Sequence, residues 1–264
     1  MKKTALASAL VTTALFAAAS ANAAPLIVNT ALSNIPTAFD NVITGTGSTV
    51  VTAQVVDGQS TYNYIDKDGN AATVSVTRTS TGAAALPSGG YADYGTPLSG
   101  SVWNINPGSS VSDPIPGFGS GLTFTFSSPV NAFGFEIGDW ATCCYTNVRP
   151  TAIQTTYSVP ATGSGLWIAF DGGAATLPAN ALSSSDNPGL NFTNFIGAID
   201  SSGFFSKVTF FGDGFGEFLV AGGTLRFASV PKGSVGGSVP EPASLALLGI
   251  GLAGLATMRR RKTA

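Results

Sequence analysis

The chain has 264 residues, with 12 Lys and Arg against 14 Asp and Glu, and it contains no histidine. Without histidine, Ser-His-Asp and Cys-His catalysis and the usual zinc sites are excluded. Between residues 24 and 239, six basic side chains face thirteen acidic ones. The resulting net charge of −7, with no basic stripe, argues against nucleic acid as a partner.

In chain order, Met1-Lys2-Lys3 is a positive start, residues 5–19 are apolar, and Ala21-Asn22-Ala23 is an A-x-A cleavage site. Residues 1–23 therefore read as a helical signal peptide, and cleavage after Ala23 leaves a chain beginning at Ala24. The stretch 24–231 is long enough for one domain with a core of its own. It is rich in Gly, Ser, Thr, Asn and aromatic residues and poor in Lys and Glu, which favours strands and tight turns.

Residues 61–65 and 73–79 flank Asp66-Lys67-Asp68-Gly69-Asn70 and predict a hairpin. Asp66, Asp68 and Asn70 alternate like the first half of a calcium loop. The pattern then fails, with Ala71 where the turn glycine belongs and Thr77 where the bidentate Glu belongs. The stretch 83–121, rich in Gly, Pro and Ser, reads as a long loop region with a strand near Val102-Trp103. Beyond it, 122–126, 133–137, 166–170, 208–210 and 225–227 each alternate apolar with small or polar residues and end near Gly or Asp turn signals. No part of the domain shows a helical period. The expected fold is all-β, an antiparallel β-sandwich of jelly-roll type, with a signal helix before it and a hydrophobic helix after it.

Cys143 and Cys144 are adjacent, and thiols in an exported protein are expected to pair. A bond between neighbours stiffens its loop. It would act as a local staple, be replaced by an interchain link, or serve as a rim presenting Trp140 and Tyr145 to a sugar ring. Glu136, Asp139, Asp213 and Glu217 are the carboxylates at strand ends that could meet across loops. They fit solvated turns, a structural Ca²⁺ site, or the acid and base of a glycosidase, whose separation sets the stereochemistry. No other cofactor is indicated. Trp103, Trp140 and Trp167, with Tyr91 and Tyr94, suit either a core or sugar stacking. Thr77-x-Thr79 and Thr123-x-Thr125 occur singly, without the fixed-period repeat an ice-binding face needs.

Residues 232–239 read as a flexible Gly/Ser linker. The last segment, 240–264, opens with Pro240-Glu241-Pro242. It continues through sixteen uncharged residues from Ala243 to Met258 and closes on Arg259-Arg260-Arg261-Lys262. At about 1.5 Å per residue the apolar run spans roughly 24 Å, short of a hydrocarbon core of about 30 Å. Its basic end is expected to stay on the cytoplasmic side of a membrane. Order, spacing and position resemble the PEP-CTERM sorting signal of exported Gram-negative proteins, a tail also catalogued as an ice-binding protein C-terminal domain. The resemblance implies an exosortase, a membrane transpeptidase-like partner acting near Pro240-Glu241-Pro242. It further implies a cell-surface or extracellular setting of exopolysaccharide and biofilm. Two functions are compatible with this reading. One is a non-catalytic surface or matrix protein with a binding or structural role in exopolysaccharide. The other is a secreted glycan hydrolase using two of the loop carboxylates.

Overall fold

The computed structural model describes residues 25–92, 97–105, 121–140, 148–173, 176–181, 192–213 and 219–235. Residues 23–237 form one compact unit. The signal peptide with Ala21, Ala23 and Ala24, the Cys143–Cys144 pair and the 240–264 tail lie outside the described residues.

In chain order the first strands are β1 (Leu26–Thr30), β2 (Val51–Gln54), β3 (Thr61–Ile65) and β4 (Ala71–Arg78). Next come β5 (Val102–Asn104), β6 (Leu122–Val130), β7 (Ala132–Gly138) and β8 (Ser164–Phe170). β9 (Thr176–Ala181), β10 (Asn194–Ile199), β11 (Phe205–Gly212) and β12 (Val220–Ala228) complete the described set. They form two antiparallel six-stranded sheets. One runs β1-β10-β7-β12-β2, with β5 end to end with β2 along the same edge of β12. The other runs β3-β4-β6-β11-β8-β9. From β5 onward the orders are β5-β12-β7-β10 and β6-β11-β8-β9, the winding of an eight-stranded jelly roll. The expected all-β antiparallel sandwich is the one observed, and the two expected terminal helices lie outside the described residues.

The predicted alternation works as period 2 requires. Leu122, Phe124 and Phe126 of β6 and Val208 and Phe210 of β11 face Phe133, Phe135 and Ile137 of β7 across the sandwich in a single buried cluster. The ring of Phe135 meets that of Phe210 edge-on at 4.5 Å, and Phe124 stacks on Phe135 at 5.7 Å. Each such phenyl contributes roughly 1.5–3 kcal/mol by burial, so this aromatic layer is what holds the sheets together.

Asn131 alone connects β6 in one sheet to β7 in the other. Its side chain donates from Nδ2 to the Val230 carbonyl at 2.9 Å and accepts the Val230 N–H at 2.6 Å, while its own C=O accepts the Asp200 N–H at 2.7 Å. The amide thus satisfies both backbone groups of a buried residue at a corner where no ladder continues. Asn131→Ala leaves those two groups without their partner and is expected to cost about 1–3 kcal/mol for each unsatisfied group, measured as a lower denaturation midpoint at unchanged slope.

Helical segments absent from the sequence reading cover part of each outer face. A segment of Leu32–Asn34, Pro36–Asp40 and α1 (Asn41–Thr44) lays Ile35, Phe39 and Ile43 on the first sheet, where they join Val28, Phe195 and Ile199. The three are spaced four apart, a helical signal hidden among Thr, Asn and Pro. Gly134 and Gly197 stand opposite each other beneath these rings, and a Cβ on Gly134 would lie 2.3 Å from Phe195 Cζ. On the second sheet, α2 (Thr151–Tyr157) packs Ile153 and Tyr157 over Trp167, Ala169 and Phe211. Trp167 therefore belongs to an outer apolar layer, on the opposite side of β8 from Leu166 and Ile168.

Tyr62 and Tyr64 on β3 point into the core. Burial pushes the Tyr62 phenol from 10.0 up to about 12 and raises that of Tyr64 as well. A folded-state value above the unfolded one gives stability that is complete below pH 10 and is lost as pH rises toward 12. Alkaline titration is expected to show cooperative unfolding within that window, with tyrosinate absorbance and loss of β-sheet circular dichroism rising together.

Candidate functional site

Asp213, at the end of β11, carries a partner that sequence reasoning did not single out. Arg149 and Asp213 form an ion pair at 2.7 Å with both side chains buried to about 1 % exposure or less. Pro150 precedes α2, and Ser158 ends it in the left-handed region at φ 52°. The chain then doubles back so that Arg149 N–H donates to Ala161 O at 2.7 Å. The guanidinium is surrounded by this return. Nη1 donates to Pro160 O at 2.8 Å and Thr162 O at 2.9 Å, Nη2 to Gly163 O at 2.8 Å, and Nε to Asp213 Oδ2 at 2.7 Å. With the Nη2 contact to Asp213, all five N–H bonds of the fork have acceptors. Asp213 also accepts from Gly165 N–H and from Trp167 Nε1, each at 3.2 Å. The carboxylate is thereby committed to anchoring the 158–163 loop.

Glu136 on β7 is buried at 4 % exposure among neutral donors. Oε2 accepts Ser99 N–H at 2.8 Å, and Oε1 accepts Ser99 Oγ at 2.6 Å and Thr224 N–H at 3.2 Å. The pocket exists because β12 bulges: Gly222 pairs with Glu136 and Arg226 with Gly134, leaving extra residues between. Gly223 takes φ +67° there, and a Cβ on it would lie 2.1 Å from Glu136 Oε2. Glu136 lies on the outer side of the first sheet, opposite Phe195, and Asp213 lies beside Trp167 on the outer side of the second. The structure does not bring these two carboxylates together.

Asp139 follows β7 at φ 59° and receives the Tyr91 hydroxyl at 3.4 Å. Glu217 lies outside the described residues. Among the described residues no three His, Cys, Asp or Glu side chains gather to hold a metal ion. Asp66 closes the predicted hairpin turn. Its Oδ1 accepts the N–H groups of Asp68 at 2.9 Å and Asn70 at 2.8 Å, and Oδ2 accepts Ser128 Oγ at 3.0 Å. These bonds, the Asn70 N–H foremost, hold its carboxyl below the usual range.

Trp103, Trp140 and Trp167 are all buried. Their indole N–H groups donate to Ala85 O, Ser164 O and Asp213 Oδ2 respectively. Trp103 and Trp140 belong to the core between the sheets and Trp167 to the outer apolar layer under α2; Tyr94 and Tyr145 lie outside the described residues. The two Thr-x-Thr pairs, distant in sequence, lie on adjacent strands, with Thr77 opposite Thr123 and Thr209 on the far side of Thr123. Thr123 Oγ1 is 2.9 Å from Thr79 Oγ1 and 3.1 Å from Thr209 Oγ1, so this rank satisfies itself across three strands.

A cleft of ≈ 400 Å³ opens where the margins of the two sheets part, between β2 and β3. Ser48, Thr49 and Ser229 supply hydroxyls to its wall, while Val51, Tyr64, Val130 and Phe227 make the apolar floor. A second cleft of ≈ 330 Å³ on the β3–β4 hairpin shares Tyr64 and Ile65 with the first. Sequence reasoning missed this site because its walls come from four segments far apart in the chain, and the one that carries a motif, at Asp66-Lys67, reads as a hairpin turn.

Toward the C-terminus, residues 232–235 remain in contact with the body. Gly233 N–H donates to Ser201 O at 2.8 Å, and Val235 packs beside the outer apolar cluster and accepts from Ser201 Oγ. Residues 236–239 lie outside the described residues. The body and the segment beyond it define a class: an exported β-sandwich protein with a C-terminal sorting signal. The signal is the PEP-CTERM protein-sorting motif, whose family matches residues 238–262. It makes the chain an exosortase-processed protein of the cell envelope or surface. No curated protein and no solved structure matches the chain.

Proposed function

We propose that the protein is a non-catalytic component of the cell surface or extracellular matrix, whose jelly roll binds or organises exopolysaccharide in a biofilm. It leaves through the Sec pathway with cleavage after Ala23. The C-terminal run holds it in the inner membrane until the exosortase acts near Pro240-Glu241-Pro242. The observation that supports this reading is the state of the buried carboxylates. Glu136 and Asp213 face opposite sides of the sandwich, and each is saturated by the protein's own donors. A glycosidase pair must instead flank one bond, about 5–10 Å apart, with one carboxyl free to take a proton. The fold by itself carries no function.

The test uses the full chain held in detergent and exopolysaccharide from the producing cells, with and without Ca²⁺. Retention of the chain on the immobilised polymer without release of new reducing ends is the expected result. Release of reducing ends would replace this reading with the glycan hydrolase. Failure to be retained in either condition removes the exopolysaccharide role.

A further inference from the structure

We infer that the paired clefts around Ile65 are a binding site for a neutral oligosaccharide segment, which deepens the proposed function and rests on it. Four observations lead there. The first is charge. Asp66 and Lys67 are the charged residues lining the larger cleft, and each has commitments elsewhere. The Asp66 carboxylate is bound to two backbone N–H groups and the Ser128 hydroxyl, and Lys67 Nζ is paired with Asp68 at 2.7 Å. Among the described lining residues a phosphate or carboxylate ligand would meet the Asp66 anion, with Lys67 already paired to Asp68 as the cation beside it, so a neutral ligand fits best.

The second is the kind of polar group on offer. Ser48, Thr49 and Ser229 are neutral hydroxyls that both donate and accept, which matches a ligand bearing hydroxyls of its own. Ser48 Oγ is held 2.9 Å from Thr46 Oγ1, which orients it, and Ser229 Oγ makes a long 3.4 Å contact to Pro129 O. The third is the floor. The apolar lining open to a ligand is Val51, partly exposed, and Ile65, exposed, while Tyr64, Val130 and Phe227 also line the cleft but are buried in the core. A ring with one C–H face and hydroxyls at its rim satisfies both walls, and a small-ligand site is mostly apolar with a few placed polar groups.

The fourth is continuity. The second cleft, bordered by Asn63 and Thr73, begins where the first ends, at Tyr64 and Ile65. Ile65 is 57 % exposed between them. Two subsites sharing a ridge suit successive residues of one chain better than a single small molecule. Affinity should therefore grow with chain length.

Isothermal titration of the full chain in detergent tests this with glucose, with the neutral probes cellotetraose, maltotetraose and mannotetraose, and with anionic tetragalacturonate. A saturable heat is expected for at least one neutral tetrasaccharide, with glucose weaker by about tenfold or more. Ile65→Asp on the ridge and Thr49→Trp on the wall should each weaken it at least about tenfold, whereas Thr125→Asp, on the exposed outer face of β6, should not. Circular dichroism identifies a variant that fails to fold, and the other blocking variant then decides. Neutral binding that persists in the folded blocking variants overturns the cleft while leaving exopolysaccharide binding in place. Binding of tetragalacturonate alone overturns the neutral ligand. No heat with any neutral probe also overturns the site, and the wider reading falls only if the host polymer fails to retain the chain.

Discussion

Arg149→Met is expected to destabilise the domain by about 3–5 kcal/mol, the cost of leaving a buried carboxylate without its partner. Asp213→Leu should cost a similar amount for the opposite reason, a guanidinium stranded at 0 % side-chain exposure. The double variant is the informative one. Replacing a buried ion pair by apolar side chains is often close to neutral, because the desolvation penalty of both ions disappears with their attraction. Here recovery should be partial. Pro160, Thr162 and Gly163 would still lose the donor that satisfies their carbonyls. Denaturation curves of the two singles and the double give the coupling energy directly. Full additivity would show that the pair does not act as a unit.

Glu136→Ala is expected to cost about 4–5 kcal/mol, since hydrogen bonds to a charged group contribute at least about 1.5 kcal/mol each and three donors lose their acceptor. The donors are Ser99 N–H, Ser99 Oγ and Thr224 N–H. Glu136→Gln should lose about half as much, because its amide oxygen still serves one side while its NH₂ faces a donor on the other. Gly223→Ala reaches the same place from the opposite wall. It puts a methyl at φ +67° and within 2.1 Å of Glu136 Oε2, so the carboxylate or the bulge must shift. Equilibrium denaturation gives the energies. Amide hydrogen exchange supplies the local readout, with Ser99 and Thr224 losing protection more than Val208 in the core.

Much of the body was legible because strands report themselves locally. Asp66 to Asn70 form a turn by Asx chemistry that depends on neighbours within four positions, so the β3–β4 hairpin was correctly predicted. The alternation at 122–126, 133–137 and 166–170 corresponds to β6, β7 and β8 for the same reason. β1, β2, β9 and β10 were not anticipated. In β10 the run Asn194-Phe195-Ile196-Gly197-Ala198-Ile199 is buried on both faces, so the polar half of the alternation is missing. The helical layers were missed because Ile35, Phe39 and Ile43 lie in a short segment with Pro36 and several weak helix formers. That segment is helical because its apolar face, with the Phe39 ring over Gly197, packs on the first sheet, not because its own residues prefer the helix.

The candidate carboxylates show the same division. Asp139 and Asp213 follow strands as expected, whereas Glu136 lies within β7; Glu136 and Asp213 look alike in sequence and differ entirely in what holds them. One is clasped by a serine 37 positions away and a threonine 88 away, the other by an arginine 64 away. By itself the sequence determined the all-β character, the hairpin and the sorting signal at 238–262, because each is written in contiguous residues whose chemistry acts over a few positions or is read as a linear tag. Only the tertiary structure decided the jelly-roll winding, the opposite placement of the buried acids and the cleft at Ile65. Each depends on which distant strands pair, and that is settled by burying the aromatic layer between two sheets rather than by any local preference.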